Sequence, residues 1–504
     1  MVQVPTFESL NMGAALPAIS VAAWACILLV IDLWIPKNRK ILTAYLTAGG
    51  LAFAFFANLA VYNQTGDSFF GMYVTDQFTG FLNLVILATA LIAVLLSVDY
   101  LKRAEIERGE YYILLLFSTA GIMFMVAAND LIAIFVSLEL LSIPLYILAA
   151  FRAPDLRSEE AGLKYFLLGA FASAFLVFGA ALVYGATGTT NLNELAVAVQ
   201  EIVSTDSSMT FYLLIGAALL IAGLGFKVAV VPFHEWTPDV YAGAPTPVTA
   251  FMSVGAKIGG FAALLRILVV GMSALAVSPD AMTAWQPVIA LVAGLTVIVG
   301  NVIAISQSNV KRMLAYSSIA HAGYIMMAVA AAGTTGMENA ATQAAVVYLI
   351  AYMFTNLGAF AVAIAIEHQD GSADLENFVG LSKSRPLMAF MMAVFMLSLT
   401  GVPLTSGFIG KVYVFGTTLQ AGLVGLAIVG VLTSVISAYY YIRVIVNMYL
   451  RDRDDETADV TPGYTPAVNW ATGIAFAGTL VLGILPFLVT GLTDRIALVA
   501  TISP

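Results

Sequence analysis

Charge is what this sequence of 504 residues has least of. Lysine, arginine, aspartate and glutamate make up only 10% of it, against 61% hydrophobic residues. A water-soluble domain carries roughly 25% charged residues. The deficit excludes a soluble globular protein and points to an all-α polytopic membrane protein. Cysteine is almost missing as well. Cys26 stands alone in an apolar run, which excludes a disulfide framework and any cysteine-ligated cluster within the chain. Of the three histidines, His234 begins an HE pair, but Pro238 stands where HExxH needs its second histidine, so that zinc site is excluded. No GxGxxG follows a strand, so the chain should bind neither nicotinamide nor flavin. The many methionines and phenylalanines at helical spacing read as lipid-facing or core residues rather than a quinone pocket. The net charge of −9 comes mostly from loops, and no nucleic-acid partner is expected. MVQVPTFESL lacks a basic n-region, so the first apolar run reads as a span and not a signal peptide.

Long apolar runs are what the sequence does have. A span needs about 20 mostly apolar residues. Fourteen are expected, at 14–35, 42–62, 78–98, 111–128, 130–151, 163–186, 211–231, 247–272, 286–305, 314–332, 341–366, 388–419, 420–446 and 468–491. The seventh should break at Val231–Pro232, leaving a short helix or re-entrant turn over 232–246. The twelfth is too long for one straight span and should break around Gly401, Pro403 and Gly407. Basic residues support this count. Lys37, Arg39, Lys40, Lys102, Arg103, Arg108, Arg152, Arg157, Lys164, Lys311, Arg312, Lys383 and Arg385 fall in loops after odd-numbered spans, and Arg443, Arg451 and Arg453 fall at the end of the thirteenth. The loops at 63–77, 187–210, 273–285 and 333–340 hold none. Both termini should then lie on the outer side of a bacterial plasma membrane.

A charge at the centre of a span costs roughly 2.5–3.5 kcal/mol on insertion scales, and such residues pair or mark ion pathways. Here they are Glu139 in VSLELLSIP, Lys227 in GFKVAVVP, Lys257 in GAKIGG and Lys411 in GFIGKVYVF. Asp32 and Arg443 lie near span ends and read as snorkelling side chains. Desolvation and neighbouring carboxylates move the proton affinity of a lysine in opposite directions, so a buried lysine can load and unload a proton. Alternating acids and lysines therefore suggest a hydrated polar axis in the membrane plane. Lys227 precedes one break and Lys411 follows the other, in spans of opposite direction. Both lie just after Gly-Phe, in GFK and GFIGK. This patterning predicts two inverted five-helix repeats, spans four to eight against nine to thirteen. The expected partition is 1–110 as an N-terminal three-helix segment, 111–272 and 286–450 as the repeats, and 451–504 as a C-terminal helix. His234 beside the break and His321 in YSSIAHAGY are candidate relay members, the latter equally readable as a satisfied core histidine. His368 is expected in a solvated inner loop.

HEWTPDVYAGAPTPVTAFMS (234–253), KRMLAYSSIAHAGY (311–324) and VSLELLSIPLYILAAF (136–151) resemble subunit N, the ND2-type antiporter-like subunit of proton-translocating NADH–quinone oxidoreductase, respiratory complex I. The resemblance runs the length of the chain. YSSIAHAGY is shared with other antiporter-like subunits and with multisubunit cation/proton antiporters. VYAGAPTPVTAF together with a lysine in the broken twelfth span is more particular to subunit N. The resemblance implies a proton-input pair of Glu139 and Lys227, a central relay at Lys257 and an exit-side lysine at Lys411. It implies no cofactor in this chain, with NADH, FMN, iron–sulfur clusters and quinone belonging to partner subunits. Its implied partners are other membrane subunits of the complex, antiporter-like and small hydrophobic ones, and membrane lipids. No long amphipathic helix follows residue 491, unlike the distal subunit of that family. The alternatives are a subunit of a multisubunit sodium/proton (Mrp-type) antiporter, an organic-solute transporter or a non-pumping scaffold.

Overall fold

A computed structural model describes residues 10–205, 207–276, 284–367, 372–452 and 466–498; His368 lies outside them. The elements run in chain order as follows. Helices α1 (Leu16–Asp32) and α2 (Ile41–Val61) lead to a two-stranded antiparallel hairpin, β1 (Gly66–Ser68) and β2 (Tyr73–Thr75). Then come α3 (Gln77–Arg103), α4 (Gly109–Ala127), α5 (Leu131–Ala149), α6 (Leu156–Thr187), α7 (Leu192–Thr205), α8 (Ser207–Val228), α9 (Trp236–Gly243) and α10 (Thr246–Leu265). A turn of π-helix extends α10 to Gly271. The chain continues with α11 (Trp285–Ile305), α12 (Val310–Ala331), α13 (Glu338–Ile366), α14 (Leu381–Ser384), α15 (Pro386–Thr400), α16 (Ser406–Gln420), α17 (Val424–Leu450), α18 (Pro466–Ile484) and α19 (Phe487–Thr493).

Among the described residues, twelve helices are long and apolar enough to cross a membrane, and α1 and α15 are shorter apolar helices. The chain is an integral membrane protein. Its polar punctuation is local: the side chains of Asp76, Asp130, Asp155 and Asn309 accept from first-turn amides of α3, α5, α6 and α12, filling bonds a helix start leaves open. Central and peripheral helices separate by burial. The most apolar windows of α10, α12 and α13 are 94%, 94% and 89% buried, whereas those of α2, α17 and α18 are 33% buried and turn apolar side chains outward.

Two interruptions shape the centre. Helix α8 stops at Val228, Ala229 takes a positive φ of 63°, and the chain turns before α9. The Trp236 indole donates to the Phe226 carbonyl at 3.0 Å, alongside the Ala229 amide at 3.1 Å, and ties α9 to the end of α8. Helix α15 stops at Thr400, where Gly401 adopts a left-handed φ of 93° suited to glycine. Helix α16 then starts at Ser406, and the Gly407 amide donates to the Ser398 hydroxyl at 3.0 Å. A Cβ at Gly407 would collide with the Ser398 carbonyl.

The helix ends sort into two faces. On one, Lys40 pairs with Asp32 at 2.6 Å, Arg103 donates to the Ile364 carbonyl at 2.7 Å, and Lys383 pairs with Asp452 at 2.5 Å. This basic face opposes one built from the hairpin, α7 and the buried Arg266, which meets Asp76 at 2.9 Å and the Val126 carbonyl at 2.8 Å. Residues 10–14 and 484–498 lie on this second face, as contacts from Thr75 to Ala14 and from Gln343 to Ile496 show.

Several expectations need correction. Residues 187–210 are not simply a loop: α7 buries Leu192, Leu195 and Val199 at helical spacing. Residues 66–75 form the hairpin, so the chain is not purely helical. Lys102, Arg103, Arg157, Lys164, Lys311, Arg312 and Lys383 lie in α-helices, not in loops. Asp155 starts α6 earlier than expected, and Lys311 sits in the first turn of α12 with 2% of its side chain exposed. Asp32 does not snorkel; it is held by Lys40 and the Thr43 hydroxyl. Arg443 reaches the end of α11, where it donates to the Ile305 and Gln307 carbonyls.

Gly407→Ala should destabilise the protein by about 1–3 kcal/mol, the usual cost of overpacking, seen as a lower melting temperature in detergent. Gly416→Ala on the same helix meets open space and should melt at or slightly above wild type.

Candidate functional site

The break at Val228 leaves backbone carbonyls at membrane depth, where they need partners. One partner is Lys257, whose ammonium group reaches from α10 to the Val228 carbonyl at 3.3 Å and to the Ser318 carbonyl of α12 at 2.5 Å. The second break is treated the same way. Lys411 Nζ donates to the Leu399 and Thr400 carbonyls at 2.9 and 2.8 Å, and bonds the Ser434 hydroxyl at 2.7 Å. Each lysine thus caps the C-terminal end of a broken helix, the end that favours a cation.

Lys227, the penultimate residue of α8, is buried against hydroxyls instead: Ser142 Oγ at 2.8 Å and Tyr165 OH at 3.0 Å. The Tyr165 ring, stacked on Trp236 at 4.5 Å, is fixed by α9. Glu139 lies one turn before Ser142 on α5 and bonds the Ser173 hydroxyl of α6. The ion pairs within 4.0 Å among the described residues do not include it. The expected Glu139–Lys227 pair is therefore not a contact; Ser142, Tyr165 and Tyr146 stand around the amine. Nor does Glu139 face the bundle interior. It is half-buried, on the helix face that exposes Ile132, Val136, Ile143 and Ile147. Pro144 within α5 contributes no backbone donor, which loosens this helix beside the carboxylate.

From Lys257 the polar line continues. Ser318 Oγ accepts from Tyr352 OH at 2.9 Å. His321, one turn along α12 and 4% exposed, bonds Tyr348 OH through Nδ1 at 2.7 Å and Tyr441 OH through Nε2 at 3.2 Å. Tyr324 follows, and its ring lies 5.1 Å below Lys411 Nζ. A cavity of about 10 Å³ lies among His321, Tyr348, Tyr352, Thr355, Ser398 and Leu399, near the volume one water requires. The structure brings Lys257, His321 and Lys411 into this line. It does not bring in His234. That ring is half-buried beside the first break, and its Nδ1 has no partner among the described residues.

Chemically, the line accommodates either protonation state. Carbonyls accept from an amine as well as from an ammonium, and a hydroxyl both donates and accepts. Lys411 can therefore donate three bonds when charged. When neutral it can donate two to carbonyls and accept one from Ser434. Both partners of Lys227 are hydroxyls, and so are both partners of His321. A proton can come or go at each group by hydroxyl rotation alone. The hydroxyls escaped sequence reasoning. Tyr348 and Tyr352, four apart in AVVYLIAYMF, and Ser142, three after Glu139, were the available signals.

The NADH:quinone oxidoreductase/Mrp antiporter transmembrane family model matches residues 128–437. The NADH-quinone oxidoreductase subunit N of Chloroflexus aggregans is 44% identical over 97% of this chain and 98% of that protein. Within respiratory complex I from Thermus thermophilus, a chain superposes with a TM-score of 0.77 at 35% identity, covering 94% of this chain and 98% of that one. A chain of the Mrp complex from Dietzia, 22% identical, shares the fold with a TM-score of 0.81 over 96% of this chain and 97% of that one. Amines and an imidazole aligned through two helix breaks, and full-length relatives of one kind, lead to one statement: the chain belongs to the NADH:quinone oxidoreductase/Mrp antiporter transmembrane family, among its subunit N members.

Proposed function

We propose that this chain is the proton-translocating membrane subunit of a NADH–quinone oxidoreductase, moving protons along Glu139, Lys227, Lys257, His321 and Lys411 while partner subunits transfer electrons to quinone. One observation carries the reading: each of these buried amines, and the imidazole, is bonded to carbonyls or hydroxyls that tolerate both its protonated and neutral forms. A proton arriving at Lys227 places two cations on adjoining helices, since Lys257 holds the carbonyl of the residue after Lys227. Like charges at low dielectric disfavour double protonation, so Lys257 gives its proton up toward Ser318, Tyr352 and His321. The imidazole accepts on one nitrogen and releases from the other, passing the proton to the neighbourhood of Lys411.

This reading includes fourteen spans, with α15 and α16 as the halves of one broken span and α8 and α9 as the halves of another. It includes inverted repeats over 111–272 and 286–450, flanked by 1–110 and 451–504. The basic face lies inward, which puts both termini outside the bacterial inner membrane. NADH, FMN, iron–sulfur clusters and quinone reside in partner subunits, among them neighbouring antiporter-like and small hydrophobic membrane subunits. The Mrp-type antiporter reading has less support, because the likeness to the Dietzia chain concerns the fold.

Lys411→Arg keeps the charge but not a releasable proton. In the assembled complex it should lower NADH-driven proton pumping by about tenfold or more; near-normal pumping would make Lys411 a structural counter-ion. Glu139→Ala should likewise assemble and pump poorly, measured as quinone-linked acidification of inverted vesicles. Pumping at the wild-type rate would remove Glu139 from the path.

A further inference from the structure

Building on that reading, we infer that the buried Lys311–Glu367 pair, beneath a polar vestibule on the basic face, delivers protons to Lys257 by way of Tyr241. The vestibule is a cavity of about 300 Å³ lined by Arg157, Glu160, Lys164, Asp239, Asn309 and Arg312. Its charges are bridged. Lys164 meets Glu160 and Asp239 at 2.7 Å each, and Arg312 meets Asp239 at 2.8 Å. These side chains remain more than a third exposed, so water reaches them. Gly243 forms part of the lining, and the carbonyl of the next residue, Ala244, accepts from Lys311 Nζ at 3.2 Å. The vestibule and the buried amine are therefore one residue of backbone apart.

Lys311 and Glu367 are 2% and 1% exposed and stand 3.7 Å apart. Glu367 also accepts from Tyr100 OH at 3.3 Å and from the Thr246 hydroxyl. A buried pair offsets its desolvation only when its geometry is close and fully hydrogen-bonded, and 3.7 Å is too long for a hydrogen bond. As a pure clamp the pair is poorly made. As a site that exchanges a proton it is well placed. Lys311 and Ser318 are seven residues apart on α12, hence on one face about 10 Å apart. Tyr241, three residues before Ala244 and fully buried, lies on α9, which packs against α12. The Ser318 hydroxyl joins Tyr352, and the Ser318 carbonyl holds Lys257.

The transfer balances without any other reagent. A vestibule proton binds the Glu367 carboxylate and cancels its charge. Lys311, having lost its counter-ion, releases a proton toward the Tyr241 and Ser318 hydroxyls. Glu367 then hands its proton to Lys311 and the pair is restored. One proton has come in and one has gone on to Lys257.

The test uses the whole complex in inverted vesicles, with pumping and NADH oxidation measured per assembled complex. Tyr241→Phe keeps the ring and its packing but loses the hydroxyl; Glu367→Gln keeps the shape and loses the titrating group. Both should reduce pumping by fivefold or more. If Tyr241→Phe pumps as wild type, and Glu367→Gln only lowers the amount or melting temperature of the complex, the pair is a clamp and the inference is overturned. Should Glu367→Gln fail to assemble, Tyr241→Phe decides alone. Lys257→Ala separates the two levels. Impaired Lys257→Ala with normal Tyr241→Phe overturns the delivery route alone, whereas normal pumping in Lys257→Ala overturns the proposed function and the inference together.

Discussion

A helix that stops inside a membrane leaves carbonyl oxygens with no water to bond, and the rest of this molecule is arranged around that constraint. Helix α8 stops at Val228 and α15 at Thr400. Lys257 and Lys411 supply the missing donors at the two stops. The requirement is mutual. An ammonium group buried among apolar helices needs acceptors as much as the carbonyls need donors. Break and lysine therefore make sense only together. Glycine serves the same economy: Gly401 permits the turn, and Gly407 lets α16 start against the Ser398 carbonyl.

The constraint also explains where the aromatic hydroxyls gather. Helices α10, α12 and α13 are buried on nearly all sides, so polar atoms on them must find each other. Tyr348 and Tyr352 of α13 do so around His321 and Ser318 of α12, and Tyr441 joins them from α17. At the helix ends the polar groups are charged instead, and there Lys40 and Arg443 meet acids or carbonyls.

Much of this was legible beforehand, for a physical reason. Charge is so unwelcome in a span that Lys227, Lys257 and Lys411 stand out against their apolar surroundings, and Pro232 and Gly401 mark interruptions directly. Hydroxyls carry no such signal, because serine and tyrosine occur in spans for many reasons. The partners of the lysines were therefore invisible. Lys311 was misplaced because it follows a polar loop in sequence, while its burial depends on Glu367, distant in the chain. The hairpin was missed because two three-residue strands are too short to show a period, and α7 because its apolar positions, Leu192, Leu195 and Val199, recur in a segment too polar to read as a span. Glu139 was expected to pair with Lys227 because a mid-span charge usually finds a partner; α5 instead turns it to the rim, among Ile132, Val136, Ile143 and Ile147.

That rim position has a consequence for direction. Lys227 and His321 are bonded to hydroxyls that rotate, so nothing in their immediate bonding distinguishes forward from backward flow. As a proton path, the proposed line then resembles a wire more than a valve, and rectification must be imposed at its ends. Glu139, half-open at the edge of the bundle and separated from Lys227 by rotatable side chains, is the point where a neighbouring molecule could set the sense of current. If protons follow the proposed path, a steep opposing gradient would drive them along the same wire in reverse.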